Sequence, residues 1–258
     1  MKRALLWVAT CVLSVLLTLA IFFPAAWLGS LVEQRTGGRL TLGDAQGTLW
    51  RGSAFIGGAA GGNGPVTPLL PGRFTWTISP LALIGMVDLR LENPEALAQP
   101  VTFKGSWSQW QLSASTLLLP AEGLSGLGAP LNTLAPSGSM RLSWTGLELV
   151  LDKQQIAING RTTLEMTDMS SRLAPVRPLG SYALALDWRG QQAALTLSSV
   201  KGPLLLSGSG NLNRGRLNFS GQAEAAQGYD DVLANLLSLL GQRRPGSDRT
   251  IIALEFHS

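Results

Sequence analysis

Few side chains in this 258-residue sequence can do chemistry, and their positions keep them apart. The single histidine, His257, is next to last, and the single cysteine, Cys11, lies inside an apolar run near the start. A Ser/His/Asp relay, a Cys/His pair and a histidine-based metal site each need such groups close together. One terminal imidazole and one cysteine in an apolar segment supply none of them. Carboxylates alone can act as acid and base when two face one another. The sixteen Asp and Glu are dispersed, however, and read as outward strand positions or helix caps. The Gly- and Pro-rich residues 57–72 suggest a phosphate-cradling loop, but no Gly-Lys-Ser/Thr ending and no helix pattern follow. They read as a flexible hairpin loop. The sequence argues against an enzyme and offers no ligand set for a cofactor or a metal.

The less usual resource is aromatic, with eight Trp against two Tyr. Trp50, Trp76, Trp107, Trp110, Trp144 and Trp188 all fall in or beside stretches that alternate apolar and polar residues. Large rings of this kind fill cores, since each buries much surface. The other reading is a sheet face left open as a groove for an acyl chain or a partner. Trp76, Trp144 and Trp188 are the candidates for that face, and the sequence leaves the two readings open.

The elements that must position these residues begin with an anchor. Residues 4–32 carry no charge and follow Lys2 and Arg3 directly. A bilayer core takes about 20 apolar residues as a helix. Residues 4–27 are therefore expected to span the membrane, with residues 1–3 cytoplasmic because positive flanks stay inside. Residues 28–258 form the exported part, which in a bacterium is periplasmic. A cleaved signal is the competing reading; its apolar stretch is shorter, and the nearest site, Pro24-Ala25-Ala26, lacks the small residue that cleavage prefers. Cys11 reads as a small apolar side chain in lipid instead of a lipidation site, because apolar sequence continues well past it. The exported part has no disulfide available to it. The net charge of +4 is scattered and draws two of its positive charges from Lys2 and Arg3, so no basic face suited to nucleic acid appears.

The exported part is expected to be mainly β: a curved antiparallel sheet of repeated hairpins, with a groove as one outcome, and a short helix near its C-terminus. Alternation with a period of two marks half-buried strands, as in Phe74, Trp76 and Ile78, then Leu89 and Leu91. Residues 47–52 read as a short strand bracketed by glycines. A slip of parity between Trp107 and Trp110 predicts a bulge or a turn. Residues 121–136 read as one short helix or a crossing loop. A weak repeat of about forty residues relates 136–146 to 178–190 and points to a β meander. Residues 162–166 read as a further strand, Gly215 marks a hairpin turn, and Asp230 with Asp231 starts a helix whose Leu residues recur at helical spacing. A last strand closes the chain over residues 250–256.

In this order the segments resemble the type II secretion system protein N family, often written GspN. The residues that carry the resemblance are the short start and single anchor, residues 47–52 (Gly-Thr-Leu-Trp-Arg-Gly), the Leu-Gly-Ser-Tyr of 179–182, Gly202-Pro203-Leu204, residues 206–210 and the closing Leu-rich helix with its terminal strand. The resemblance implies a single-pass inner-membrane accessory of the apparatus that moves folded proteins from the periplasm across the outer membrane. Its implied partners are the inner membrane and other type II secretion components. A more distant likeness to AsmA-like proteins implies a second reading, a lipid-binding module whose groove takes acyl chains. The family supplies no catalytic residue. Gly47, Leu49, Trp50, Gly52, Gly180, Gly202 and Pro203 are expected to serve as structural signatures, with the two glycines of 47–52 allowing tight turns and Trp50 packing the sheet against its neighbour.

Overall fold

The computed structural model describes residues 22–59, 66–127, 131–152, 155–240 and 252–257, together with Trp7, Thr10, Cys11, Ser14 and Thr18. One open antiparallel sheet dominates it. In chain order its strands are β1 (Leu40–Gly47), β2 (Arg51–Gly58), β3 (Thr67–Pro68), β4 (Phe74–Ile78), β5 (Val87–Glu92), β6 (Val101–Gly105), β7 (Gln109–Leu112), β8 (Ser115–Pro120), β9 (Ser137–Trp144), β10 (Leu147–Asp152), β11 (Gln155–Ser170), β12 (Gly180–Gly190), β13 (Gln192–Lys201), β14 (Leu204–Asn213), β15 (Arg216–Ala225) and β16 (Ile252–His257). Two helices join them: α1 (Ala26–Arg35) before the sheet and α2 (Asp230–Leu240) between its last two strands.

The order is a meander. The path runs β1-β2-β4-β5-β6-β7-β10-β11-β12-β13-β14-β15-β16, and β8 and β9 stand beside it. The register shows why. Leu147 faces Leu112 and Ser115 faces Trp144, so β8 extends β7 and β9 extends β10 with no change of register across residues 113–114 and 145–146. The long β11 spans both halves, pairing with β10 from residue 155 and with β9 from residue 162. The strand read at 162–166 and the alternation at 156–160 are thus one strand of sixteen residues.

That register sorts the side chains. Side chains alternate across a strand, and following cross-strand partners puts Phe74, Trp76, Leu91, Phe103, Leu112, Leu149, Ile158, Leu184, Leu195, Leu206 and Phe219 on one face. The opposite face carries the charges. There Arg161 meets its register partner Asp187 at 2.6 Å, while Arg141–Glu165 and Lys104–Asp88 stand at 3.9 Å. Exposed pairs of this kind contribute only about 0.2–1 kcal/mol. Their larger effect is on register, because a one-residue slip would exchange the two faces.

Three covers bury part of the apolar face. Over β14–β16, α2 seats Leu233, Leu236 and Leu237 against Leu204, Phe219, Ala223 and Ile252. Leu70, Ala96 and Leu97 close over Phe74 and Val101. Beside them, Leu28 of α1 packs with Ala54 and Trp76. The connection at 121–136 holds a 3₁₀ segment (Ala121–Leu127) and a helical turn (Leu131–Leu134), so it is partly helical and partly a crossing loop. A single layer with partial covers leaves much surface exposed. The chain presents 16090 Å², against roughly 11,000 Å² for a compact monomer of its mass.

Among the described residues no helix is long and apolar enough to cross a membrane. Most of the anchor expected at 4–27 lies outside the described residues. Its far end belongs to the folded domain: Pro24 forms a β-bridge with Thr48, Leu49 N–H donates to the Phe23 carbonyl at 2.8 Å, and Ala25 N–H to that of Gly47 at 3.1 Å. Trp27, the last residue of the expected anchor, is the second residue of α1. Residues 47–52 form no strand of their own. Gly47 ends β1, Arg51 and Gly52 begin β2, and residues 48–50 turn between them, with Gly47 at φ +85°, where a Cβ would meet the Arg51 carbonyl at 2.4 Å.

Two outcomes test this architecture. Leu237→Ala, at a fully buried position under α2, is expected to cost about 2–5 kcal/mol in urea unfolding of the detergent-solubilised chain. At the β1 bulge, hydrogen bonds from Gln46 and from Arg73 hold the Asp44 carboxyl below its ordinary pKa. Its stabilisation is therefore full above the unfolded aspartate value and is lost as pH falls through the lower folded value. The melting temperature of Asp44→Asn should lie below the unaltered chain at neutral pH and converge with it in acid.

Candidate functional site

Among the described residues, nothing packs over the middle of the apolar face. Leu149, Ile158, Leu184, Leu186, Trp188, Leu195 and Leu212 share the face by register, and none of them belongs to the three packed clusters. Strand propensity explains why they sit there: branched and aromatic side chains at every second position suit a pleated surface. The uncovered stretch reaches the sheet rim at the turns 190–191 and 214–215. A cavity of about 280 Å³ opens there, lined by Ile156, Ile158, Trp188 and Leu212, with Gln155, Gln191 and Arg214 at its lip. Apolar walls with a guanidinium at the mouth suit an amphiphile. They supply neither a nucleophile nor a general base.

Trp76, Trp144 and Trp188 all project from this face. Each indole N–H is tied down: Trp76 to the Leu49 carbonyl at 3.0 Å, Trp144 to the Ser113 carbonyl at 2.8 Å, and Trp188 to Thr162 Oγ1 at 3.1 Å. With its polar handle satisfied, each ring adds apolar area to the face at little polar cost. Trp76 is buried under α1, while Trp144 and Trp188 are half-buried. Trp107 sits exposed in the turn between β6 and β7, and Trp110 stacks on Phe103 at 5.8 Å.

The signature residues gather at two nodes on opposite rims. At the first, Gly52 lies under Trp76: a Cβ there would meet its ring at 2.4 Å. The Leu49 backbone ties Trp76 and Phe23 together, and the Trp50 carbonyl accepts the Ile78 N–H at 2.7 Å. Trp76 is thus the ring that lies over Gly52. At the second node Gly180 and Gly202 touch through their backbones, and a Cβ on Gly202, at φ +125°, would lie 2.3 Å from the Gly180 Cα. Leu204 N–H donates to the Leu179 carbonyl at 2.9 Å, and Pro203 accepts the Ala226 N–H at 2.8 Å just before α2. Tyr182 closes this node, its hydroxyl donating to the Leu204 carbonyl at 3.1 Å. Burial pushes that phenol up, so it stays neutral and a donor.

No group of His, Cys, Asp and Glu that could hold a metal occurs among the described residues. His257 lies on β16 opposite Asn218, far from Cys11 in sequence and at the sheet's terminal edge. Two features went unread in the sequence. One is the continuity of the apolar face, which becomes legible only when each strand's parity is carried through every hairpin. The other is the apolar run at residues 81–86, where the signal was a Ser-Pro start and a Gly stop around residues too apolar for a surface turn.

The family model for the type II secretion system (T2SS), protein N, matches residues 38–252 of this chain. No curated protein and no solved structure matches it. Gly202→Ala is expected to lower stability by more than about 1 kcal/mol, since it adds a clash to a positive φ. Gly43→Ala, with its nearest neighbours 4.0 Å away, should be nearly neutral in the same unfolding measurement.

Proposed function

Because the chain belongs to the type II secretion system protein N family, we propose that it is an inner-membrane accessory of that machinery. In this reading residues 4–27 anchor it and residues 28–258 stand in the periplasm. There it helps folded proteins cross the outer membrane through contacts with other secretion components. The family match carries this reading, and it runs from the approach to β1 to the first residue of β16. The geometry supports it at the sheet's two ends. Among the described strands β1 pairs with β2 alone and β16 with β15 alone, and edge strands accept partners by strand addition where their backbone is not already bonded, as Gly47 of β1 is by Ala25.

A second reading rests on a separate observation, the uncovered apolar face. A lipid-binding module needs a surface that removes acyl chains from water, which is worth about 25 cal/mol per Å² of apolar area covered. The run from Leu149 to Leu212 offers such a surface, and Arg214 at its mouth offers a charge for an acidic headgroup. The two readings are compatible, and the second supplies what the first lacks, a reason for leaving half a sheet without a core. Catalysis has no part in either.

In a deletion strain, exoprotein is expected to accumulate in the periplasm and to return to the medium when the gene is restored; unchanged secretion would refute the first reading. Organic extraction of the purified full chain should release lipid, and Leu186→Glu should release much less. Lipid-free protein would remove the second reading and leave the first standing.

A further inference from the structure

The two rims of the sheet differ in chemistry. One carries the turns at 48–50, 79–86, 106–108, 190–191 and 214–215; the other carries the longer connections and the start of α2. The first rim exposes large apolar side chains at its tips. Leu83 is 62% exposed, Ile84 73%, Met86 53% and Trp107 64%, with Leu81 beside them. Elsewhere exposed apolar residues stand singly, as Val200 and Leu173 do, or in pairs, as Leu151 with Ile156 and Tyr229 with Val232. A contiguous exposed patch of this kind marks an interaction site.

The tip is a built element. Ser79 Oγ accepts the Leu81 N–H at 3.3 Å to start a 3₁₀ turn (Pro80–Ile84), and Gly85 at φ +95° stops it, returning its N–H to the Ala82 carbonyl. The Trp107 indole lies against Gly85, where a Cβ would stand 2.7 Å from Cδ1. Two separate connections thus share one apolar platform. Next along the rim, Ile78 bonds the Trp50 carbonyl, and the same turn holds Phe23 and Pro24, where the N-terminal apolar run joins the domain. Phe22 and Trp27 are exposed there too.

Cations line this rim too: Arg51, Lys104, Arg189, Arg214 and Arg216 stand at or beside its turns, and Asp88 there is paired with Lys104. The opposite rim mixes the two signs, with Glu95, Glu122, Glu224, Asp230 and Asp231 alongside Arg73, Arg172, Arg177 and Lys201. Aliphatic tips, an indole and flanking cations together match the boundary between anionic headgroups and acyl chains.

We propose that this rim docks into the surface of the bilayer entered by the N-terminal run, with residues 81–86 and Trp107 below the headgroups. The uncovered apolar face then opens toward the lipid. The inference rests on the anchor reading for which bilayer is met. A protein partner would be an alternative occupant, and the test separates it from lipid.

The full chain, carrying Cys11→Ser and either Ile84→Cys or Gln227→Cys, is labelled with an environment-sensitive fluorophore. It is reconstituted in phosphatidylethanolamine and phosphatidylglycerol vesicles. Both sites are exposed, so neither substitution threatens folding. The Ile84→Cys label is expected to shift its emission to the blue and to be quenched by lipids carrying a nitroxide on the acyl chain. The Gln227→Cys label, on the opposite rim, should do neither. An Ile84→Cys label with the emission of water and no quenching overturns the proposal and leaves the tip to a protein. Alkaline extraction after the reading tests the anchor separately: release of the chain defeats the anchor reading, while the label has already decided the rim.

Discussion

Strict alternation of apolar and polar side chains, held in register across a meander, is the constraint on which this structure depends. Most strands pair with the strand before them in sequence, so an error of one residue in a pairing would turn that strand's side chains over to the other face. The chain guards against this with short turns and with directly opposed charges on the polar face, such as Arg161 with Asp187. Where it does slip, it slips locally. The bulges at Asp44 and Asp168 place a non-glycine residue at φ +49° and return the alternation to its face within three residues.

A one-layer sheet cannot bury its apolar face unaided. The covers supplied by α1, the connections at 69–72 and 93–97, and α2 protect its two ends and one rim. The close approaches at Gly52 and at Gly180 with Gly202 lie within the sheet, where a Cβ would meet the Trp76 ring or neighbouring backbone. Between the covers the face stays open, and a large exposed apolar area is costly unless something else covers it.

The same asymmetry orders the molecule from rim to rim. Short turns with exposed apolar tips stand on the rim where residues 22–24 join the domain, and most of the longer connections stand on the other.

Much of this was legible in the sequence because it is local. The period of two gave Phe74, Trp76 and Ile78 a common face, Gly215 marked a hairpin, and Asp230 with its Leu spacing marked α2. The near absence of His and Cys limited the chemistry before any fold was known. What local pattern cannot carry is the pairing between distant segments. Only the register shows that β7 and β8 are one interrupted strand, that Gly180 must touch Gly202, that Trp76 lies over Gly52, and that the faces of separate hairpins join into one. Those relations depend on which backbone lies beside which, and a periodicity read along the chain is the same for a buried core and for an open face. The sequence by itself determined the alternation and the missing chemistry; the tertiary structure decided that the apolar side would be left uncovered.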